Sequence, residues 1–264
     1  GYKKNVDNYT ILRFPSRCTK LEPRYSSDIY KDTGDDEPTV RSYTKNILKV
    51  EMPDTIKELG YGAFSGSSKN SLHQYGFIFS SLERVELSKS LSKIEDKAFS
   101  VCRNLKYIEI PENVTEIGAG AFGGCKKLNI EIPDNITKIG SSAFSGCEAI
   151  ESITIPEGVR EISDSSFENC SNLQQINLPD GLEKIGSRAF FSAENLSEII
   201  IPASVKIIGQ WAFNGWTSSQ TIKCKATKAG DNWDKYWNYN YAYSASNATK
   251  ISANIIWGYQ DNNT

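Results

Sequence analysis

The 264-residue sequence is poor in the residues that most catalysis and membrane insertion require. It contains one histidine, His73, and one methionine, and no stretch approaches the ~18 consecutive apolar residues that a membrane-spanning helix needs. Basic and acidic side chains nearly balance at 30 and 32, leaving a net charge of −2 and no basic field to attract nucleic acid or an anionic bilayer. The six cysteines show no paired C-x-x-C spacing and stand apart from the one histidine, which argues against a zinc site. There is no G-x-S-x-G, no Walker loop, no H-E-x-x-H, and no G-x-G-x-x-G opening a helix. An enzyme reading therefore has little to stand on, and no cofactor or metal is expected.

What the sequence has instead is repetition. Ile108–Phe122 (IEIPENVTEIGAGAF) returns as IEIPDNITKIGSSAF from Ile130 and as ITIPEGVREISDSSF from Ile153. Phe64, Phe99, Phe122, Phe144, Phe167, Phe190 and Phe213 are spaced 35, 23, 22, 23, 23 and 23 residues apart. Eleven residues before each stands a Pro, or Ser88 in the second unit, and three residues after that position stands Ile, Leu or Val. A period of about 20 to 50 residues marks an array, and a unit this short suits a solenoid coil.

Within a unit, Leu105-Lys-Tyr-Ile108-Glu-Ile110 ends in the apolar–polar alternation of a short half-buried strand. Pro111 stops it, and Pro-Glu-Asn113 turns the chain, because Pro presets φ at one corner and Asn tolerates the left-handed conformation at the next. A second short extended piece and a tight helical turn follow, with each Phe pointing inward. One ring buried is worth roughly 1.5–3 kcal/mol, and a stack of seven forms a core that no unit could form alone.

The units resemble the BspA-like, or treponemal-type, leucine-rich repeats, whose pattern is close to L-x-x-I-x-I-P-x-x-V-x-x-I-G-x-x-A-F-x-x-C, over residues 47 to about 224. The resemblance implies an α/β repeat solenoid: a right-handed coil with a parallel sheet on one face, short strands, tight helical turns and few long helices. It also implies display on a cell surface, where several such proteins act as adhesins.

The reading divides the chain into an N-terminal cap over 1–46, a seven-unit solenoid over 47–224 with an insertion at about 66–81, and an aromatic C-terminal cap over 225–264. Ile11–Pro15 reads as a strand that covers the first coil's edge. The acidic run Asp32–Glu37 lacks the ligand spacing of a calcium loop and reads as solvated surface. One residue is missing between Cys125 and Ile130, which should pinch the sheet edge of that coil. The C-terminal stretch from Trp233 through Trp237, Tyr239, Tyr241 and Tyr243 is expected chiefly as a lid, since Tyr and Trp cover apolar surface while keeping a polar tip wet. Its sharper alternative is an aromatic platform for sugars.

Cys102, Cys125, Cys147 and Cys170 follow the spine Phe by three residues and read as a ladder of small buried hydrophobes. Glu51, Glu86, Glu109 and Glu131 share one strand position and should form an outward column, with a spacing that a solenoid imposes without any catalytic purpose. Lys49 and Arg84 should offset the first two, and towards Thr154, Asn177, Ile200 and Lys223 the face is expected to turn neutral and then basic. The candidate contact residues are Glu51, Glu86, Glu109, Glu131, Arg84 and Tyr107 on this face, His73 and Tyr75 in the inserted loop, and Trp233, Trp237 and Tyr239 at the C-terminal end. Together they point to a non-enzymatic, adhesin-like binding module outside the cell. A host or matrix protein is the first expectation for its partner and a glycan the second, with neither nucleic acid nor membrane insertion; a structural spacer is the remaining alternative. The chain opens on Gly1 rather than Met, and a leader removed upstream of it is the expectation for such a module.

Overall fold

The alternating segments form a row of short strands on one face of a coiled chain. The computed structural model describes residues 2–4, 10–14, 16–21, 47–66, 79–238 and 253–261. The front row comprises Ile47–Glu51, Arg84–Glu86, Tyr107–Ile108, Ser152–Thr154, Gln175–Asn177, Glu198–Ile201, Thr221–Cys224 and Asn254–Trp257. Where neighbours pair, they pair in parallel with their inward residues in register: Val50 with Val85 and Val85 with Ile108, Ile153 with Ile176, Ile199 with Ile222 and Ile222 with Ile255. Thr10–Arg13 continues this row in parallel beside Ile47–Glu51, with Tyr2–Lys4 antiparallel outside it. Two-residue strands form a second row, Lys93–Ile94 beside Glu116–Ile117 beside Lys138–Ile139, then Glu161–Ile162, Lys184–Ile185, Ile207–Ile208 and Asn232–Trp233.

Where the sequence suggested a tight helical turn, the described residues hold successive hydrogen-bonded turns and no helix. The reason lies in two left-handed residues per coil. The residue two before each spine Phe has positive φ (Gly62, Lys97, Gly120, Ser142, Ser165, Arg188, Trp211), as does the residue two after it from the second coil onward (Val101, Gly124, Gly146, Asn169, Ser192, Gly215). A left-handed residue interrupts the right-handed repeat that a helix needs, so each turn closes on i+3 bonds such as Cys125 N to Phe122 O at 3.0 Å.

The spine rings lie nearly parallel. Centroids from Phe64 to Phe213 are 5.5 to 5.9 Å apart with interplanar angles of 6° to 17°. The backbone beside each ring is tied to both neighbours. Phe122 N donates to Ala143 O of the next coil at 2.9 Å, and the same bond recurs from Phe64 to Phe213. In the other direction, the thiols of Cys102, Cys125, Cys147 and Cys170 donate to the carbonyls of Phe64, Phe99, Phe122 and Phe144 at 2.9 to 3.2 Å. Burial pushes all four thiols up, Cys170 to about 12, so each keeps the proton it donates. The ladder of apparent small hydrophobes is thus also a ladder of donors. In the seventh coil Trp216 takes over, its Nε1 donating to Phe190 O at 3.2 Å.

The front row is interrupted in the fourth coil. Among the described residues, Asn129–Ile132 forms no strand and makes no backbone hydrogen bond. The missing residue explains this. Its counterparts carry the front ladder between coils: Lys106 N donates to Glu83 O at 2.9 Å, and Gln174 N to Glu151 O at 2.7 Å. Without that residue, coil four has neither the donor for coil three nor the acceptor for coil five, while its Phe144 stays in the spine.

Two outcomes follow. Inserting one Lys between Leu128 and Asn129 restores the 23-residue spacing and should slow amide exchange across 129–132 while raising stability by about 1 kcal/mol for each ladder bond regained. Unchanged exchange there would sink the explanation. A thiol reagent at neutral pH should modify Cys18, which is partly exposed, and reach Cys102, Cys125, Cys147, Cys170 and Cys224 only on unfolding; rapid native labelling of Cys147 would contradict the buried ladder.

Candidate functional site

The outward positions of the front row are two per coil, immediately before and after the inward residue. In the first two coils they are Lys49 and Glu51, then Arg84 and Glu86, with Glu51 in register with Glu86. These charges are spent on one another. Lys49 Nζ lies 2.7 Å from both Glu51 and Glu86, Arg84 Nε is 3.5 Å from Glu86, and Arg13 of the preceding strand pairs with Glu51. The hydrogen bonds that the Lys49 ammonium donates to Glu51 and Glu86 raise its pKa. Burial pushes the Glu51 carboxyl up, but its bonds to Lys49 and Arg13 outweigh this and hold it below the usual value.

The other end is neutralised in the same way. Lys223 Nζ is 2.6 Å from Glu198 and 4.6 Å from the Tyr259 ring centre, while Lys225 is shared by Asp180 at 3.1 Å and Asp261 at 2.9 Å. The expected gradient from acidic to basic is therefore not a field, because both ends pair internally. What remains unpaired on this face, among the described residues, is Glu109 and Glu131, both exposed and without an ion pair. Beside them Tyr107 is 61% exposed, the most open large apolar side chain described.

Beyond Glu131 the face carries no charge for two coils. Asn129 in coil four, Ser152 and Thr154 in coil five, and Gln175 and Asn177 in coil six are all exposed. Asn177 Nδ2 donates to Thr154 Oγ1 at 3.1 Å, and Gln175 Nε2 to Asn177 Oδ1 at 3.4 Å. Sequence reasoning placed Thr154 and Asn177 as the neutral continuation of the acidic column but passed over Asn129, Ser152 and Gln175, although the same positional count places them.

The C-terminal rings do not form a platform as far as they are described. Trp233 and Trp237 are 8% and 7% exposed and pack edge to face with centroids 5.0 Å apart. Trp233 is in register with Ile208, its Nε1 donating to Val205 O at 3.4 Å, and Phe213 N donates to Trp237 O at 3.2 Å, the bond every spine Phe makes to the next coil. They are the core of one further coil, and the sugar-platform alternative loses both rings for that reason. His73, Tyr75, Tyr239, Tyr241 and Tyr243, like the run 32–37, lie outside the described residues.

Among the described residues there is no group of three His, Cys, Asp or Glu side chains able to hold a metal ion, and no helix long and apolar enough to cross a membrane. No curated protein matches the chain. Solved structures do. A leucine-rich repeat protein from Bacteroides ovatus shares 23% identity with a TM-score of 0.56, covering 89% of this chain and 66% of its own. The leucine-rich repeat protein of T. pallidum shares 22% identity with a TM-score of 0.53, covering 74% of this chain and 87% of its own. A leucine-rich cell surface protein from Faecalibacterium prausnitzii shares 27% identity over 84% of this chain and 52% of its own, with a TM-score of 0.49. The chain thus spans about two thirds of the Bacteroides structure and about half of the Faecalibacterium one. The profile described as BspA type leucine-rich repeat region matches in six copies over residues 41–149, 70–190 and 137–260. With the stacked Phe spine, the parallel front row and that match in hand, the chain belongs to the BspA-type leucine-rich repeat family.

Proposed function

We propose that this chain is a non-enzymatic recognition module, secreted or displayed at a cell surface, that acts in an adhesin-like way through its front sheet face. The observation that carries the reading is the distribution of charge on that face. Both ends are neutralised internally, and the exposed ring of Tyr107 stands with two unpaired carboxylates, Glu109 and Glu131, on a backbone held in place by the spine. A face already ordered before contact costs little conformational entropy to bind. Its open charge suits a host or matrix protein that presents a basic patch, with association that weakens as salt rises. A spacer role would leave these side chains without work, and the BspA-type family supports surface display over catalysis.

The test compares capture of extracellular matrix proteins by the parent, by Glu109→Lys/Glu131→Lys, and by Asp134→Lys/Glu157→Lys, which reverses two exposed charges at the turns after the strands. The reading requires capture of a named matrix protein that is lost in the first variant, kept in the second, and reduced as salt increases. Capture indifferent to Glu109 and Glu131 would remove the front face from the account.

A further inference from the structure

The uncharged stretch of the front face has its own chemistry. Five side chains, Asn129, Ser152, Thr154, Gln175 and Asn177, offer amide and hydroxyl groups over three successive coils, with Glu131 beside Asn129 in coil four and the exposed Glu151 directly before Ser152 in coil five. Two of the amides are already oriented by hydrogen bonds to their neighbours, Asn177 to Thr154 and Gln175 to Asn177, yet each retains free donor and acceptor capacity. At one end of the stretch stand the open ring of Tyr107 and the unpaired carboxylates of Glu109 and Glu131.

We infer that this patch binds an uncharged polysaccharide chain laid along the solenoid axis from Tyr107 to Asn177. A sugar unit has an apolar C–H face and a rim of hydroxyls. The Tyr107 ring matches the first, while carboxylates, amides and hydroxyls at a regular step match the second. Adjacent strands of a parallel row are ~4.8 Å apart, a step comparable to the advance of one hexose along an extended chain, so the paired strands Ser152–Thr154 and Gln175–Asn177 meet successive sugars, while coil four contributes Asn129 without a strand. Charge selects the class. A neutral chain meets uncharged strand positions over coils five and six, whereas a polyanionic polysaccharide would meet the exposed carboxylates of Glu109, Glu131 and Glu151, with Lys127, bonded to Asn104, a nearby cation outside an ion pair among the described residues. The surface is open rather than enclosed, so affinity accrues with chain length. This inference rests on the front face being the contact surface.

The experiment is affinity electrophoresis of the full chain in gels containing neutral glucans, mannans or galactans, with polygalacturonate as the anionic probe and short oligosaccharides of the retained polymer as competitors. At least one neutral polymer should retard the protein, polygalacturonate should not, and longer oligosaccharides should compete better. Tyr107→Ala, and separately Gln175→Ala/Asn177→Ala, should each weaken retardation about tenfold with unchanged thermal unfolding, since every altered side chain is exposed. Retardation by no neutral polymer, retardation equal in the variants, or preference for polygalacturonate overturns the inference. If neutral polymers fail while matrix-protein capture still depends on Glu109 and Glu131, the polysaccharide falls and the recognition face stands; indifference of the face to both probes removes both.

Discussion

Face-to-face stacking of one ring per coil, from Phe64 to Phe213, is the contact on which the remaining structure rests. No coil can bury its own Phe, because the other side of each ring is supplied by the neighbouring coils. The stack sets the step between coils, and that step brings each Phe N–H to the next coil's carbonyl and each Cys thiol to the preceding Phe carbonyl. The buried polar backbone beside the rings is thereby satisfied without a helix. Where the thiol is absent, in the sixth coil, Ala193 takes its place, and in the seventh the Trp216 indole again supplies the donor. Chemistry that looks interchangeable in the sequence is doing one geometric task.

Much of this was legible before any coordinates. The Phe period, the Pro that ends each strand and the residue count along the alternating segments place the spine and the outward columns. Other features were hidden for physical reasons. The pairing of Glu51 depends on Arg13, 38 residues upstream, and nothing local in the sequence sets that distance. The left-handed conformation of Lys97, Val101 and Trp211 runs against residue preference and is imposed by the coil, as its recurrence at equivalent positions shows. The absent residue before Ile130 was visible, but its effect depends on that position carrying the donor and acceptor of the front ladder. Trp233 and Trp237 were ambiguous because an aromatic-rich segment serves equally as lid, platform or core; their register with Ile208 and bonding to Phe213 decide for core.

Function follows from what the frame leaves over. Nearly every charge near the two ends of the front face is held in a pair, so the frame gains little long-range field and the face is defined by the side chains without ionic partners: Tyr107, Glu109, Glu131 and the amide and hydroxyl groups of coils four to six. They meet where the strand ladder lapses. On the proposed reading, such a face would recognise by shape and hydrogen bonding over several coils, its strength coming from repetition.

The claim that the ring stack holds the front face is tested most directly by Phe144→Ala, with calorimetry and amide exchange read on the same protein. Phe144 sits under the coil whose own front ladder is missing, so the spine and the second-row pairing of Lys138–Ile139 are what restrain it. The account predicts a loss of about 3–5 kcal/mol and faster exchange in Tyr107–Ile108 and Ser152–Thr154, the strands on either side of the gap. A loss below about 1 kcal/mol with unchanged exchange in both strands would show that the face stands without the stack.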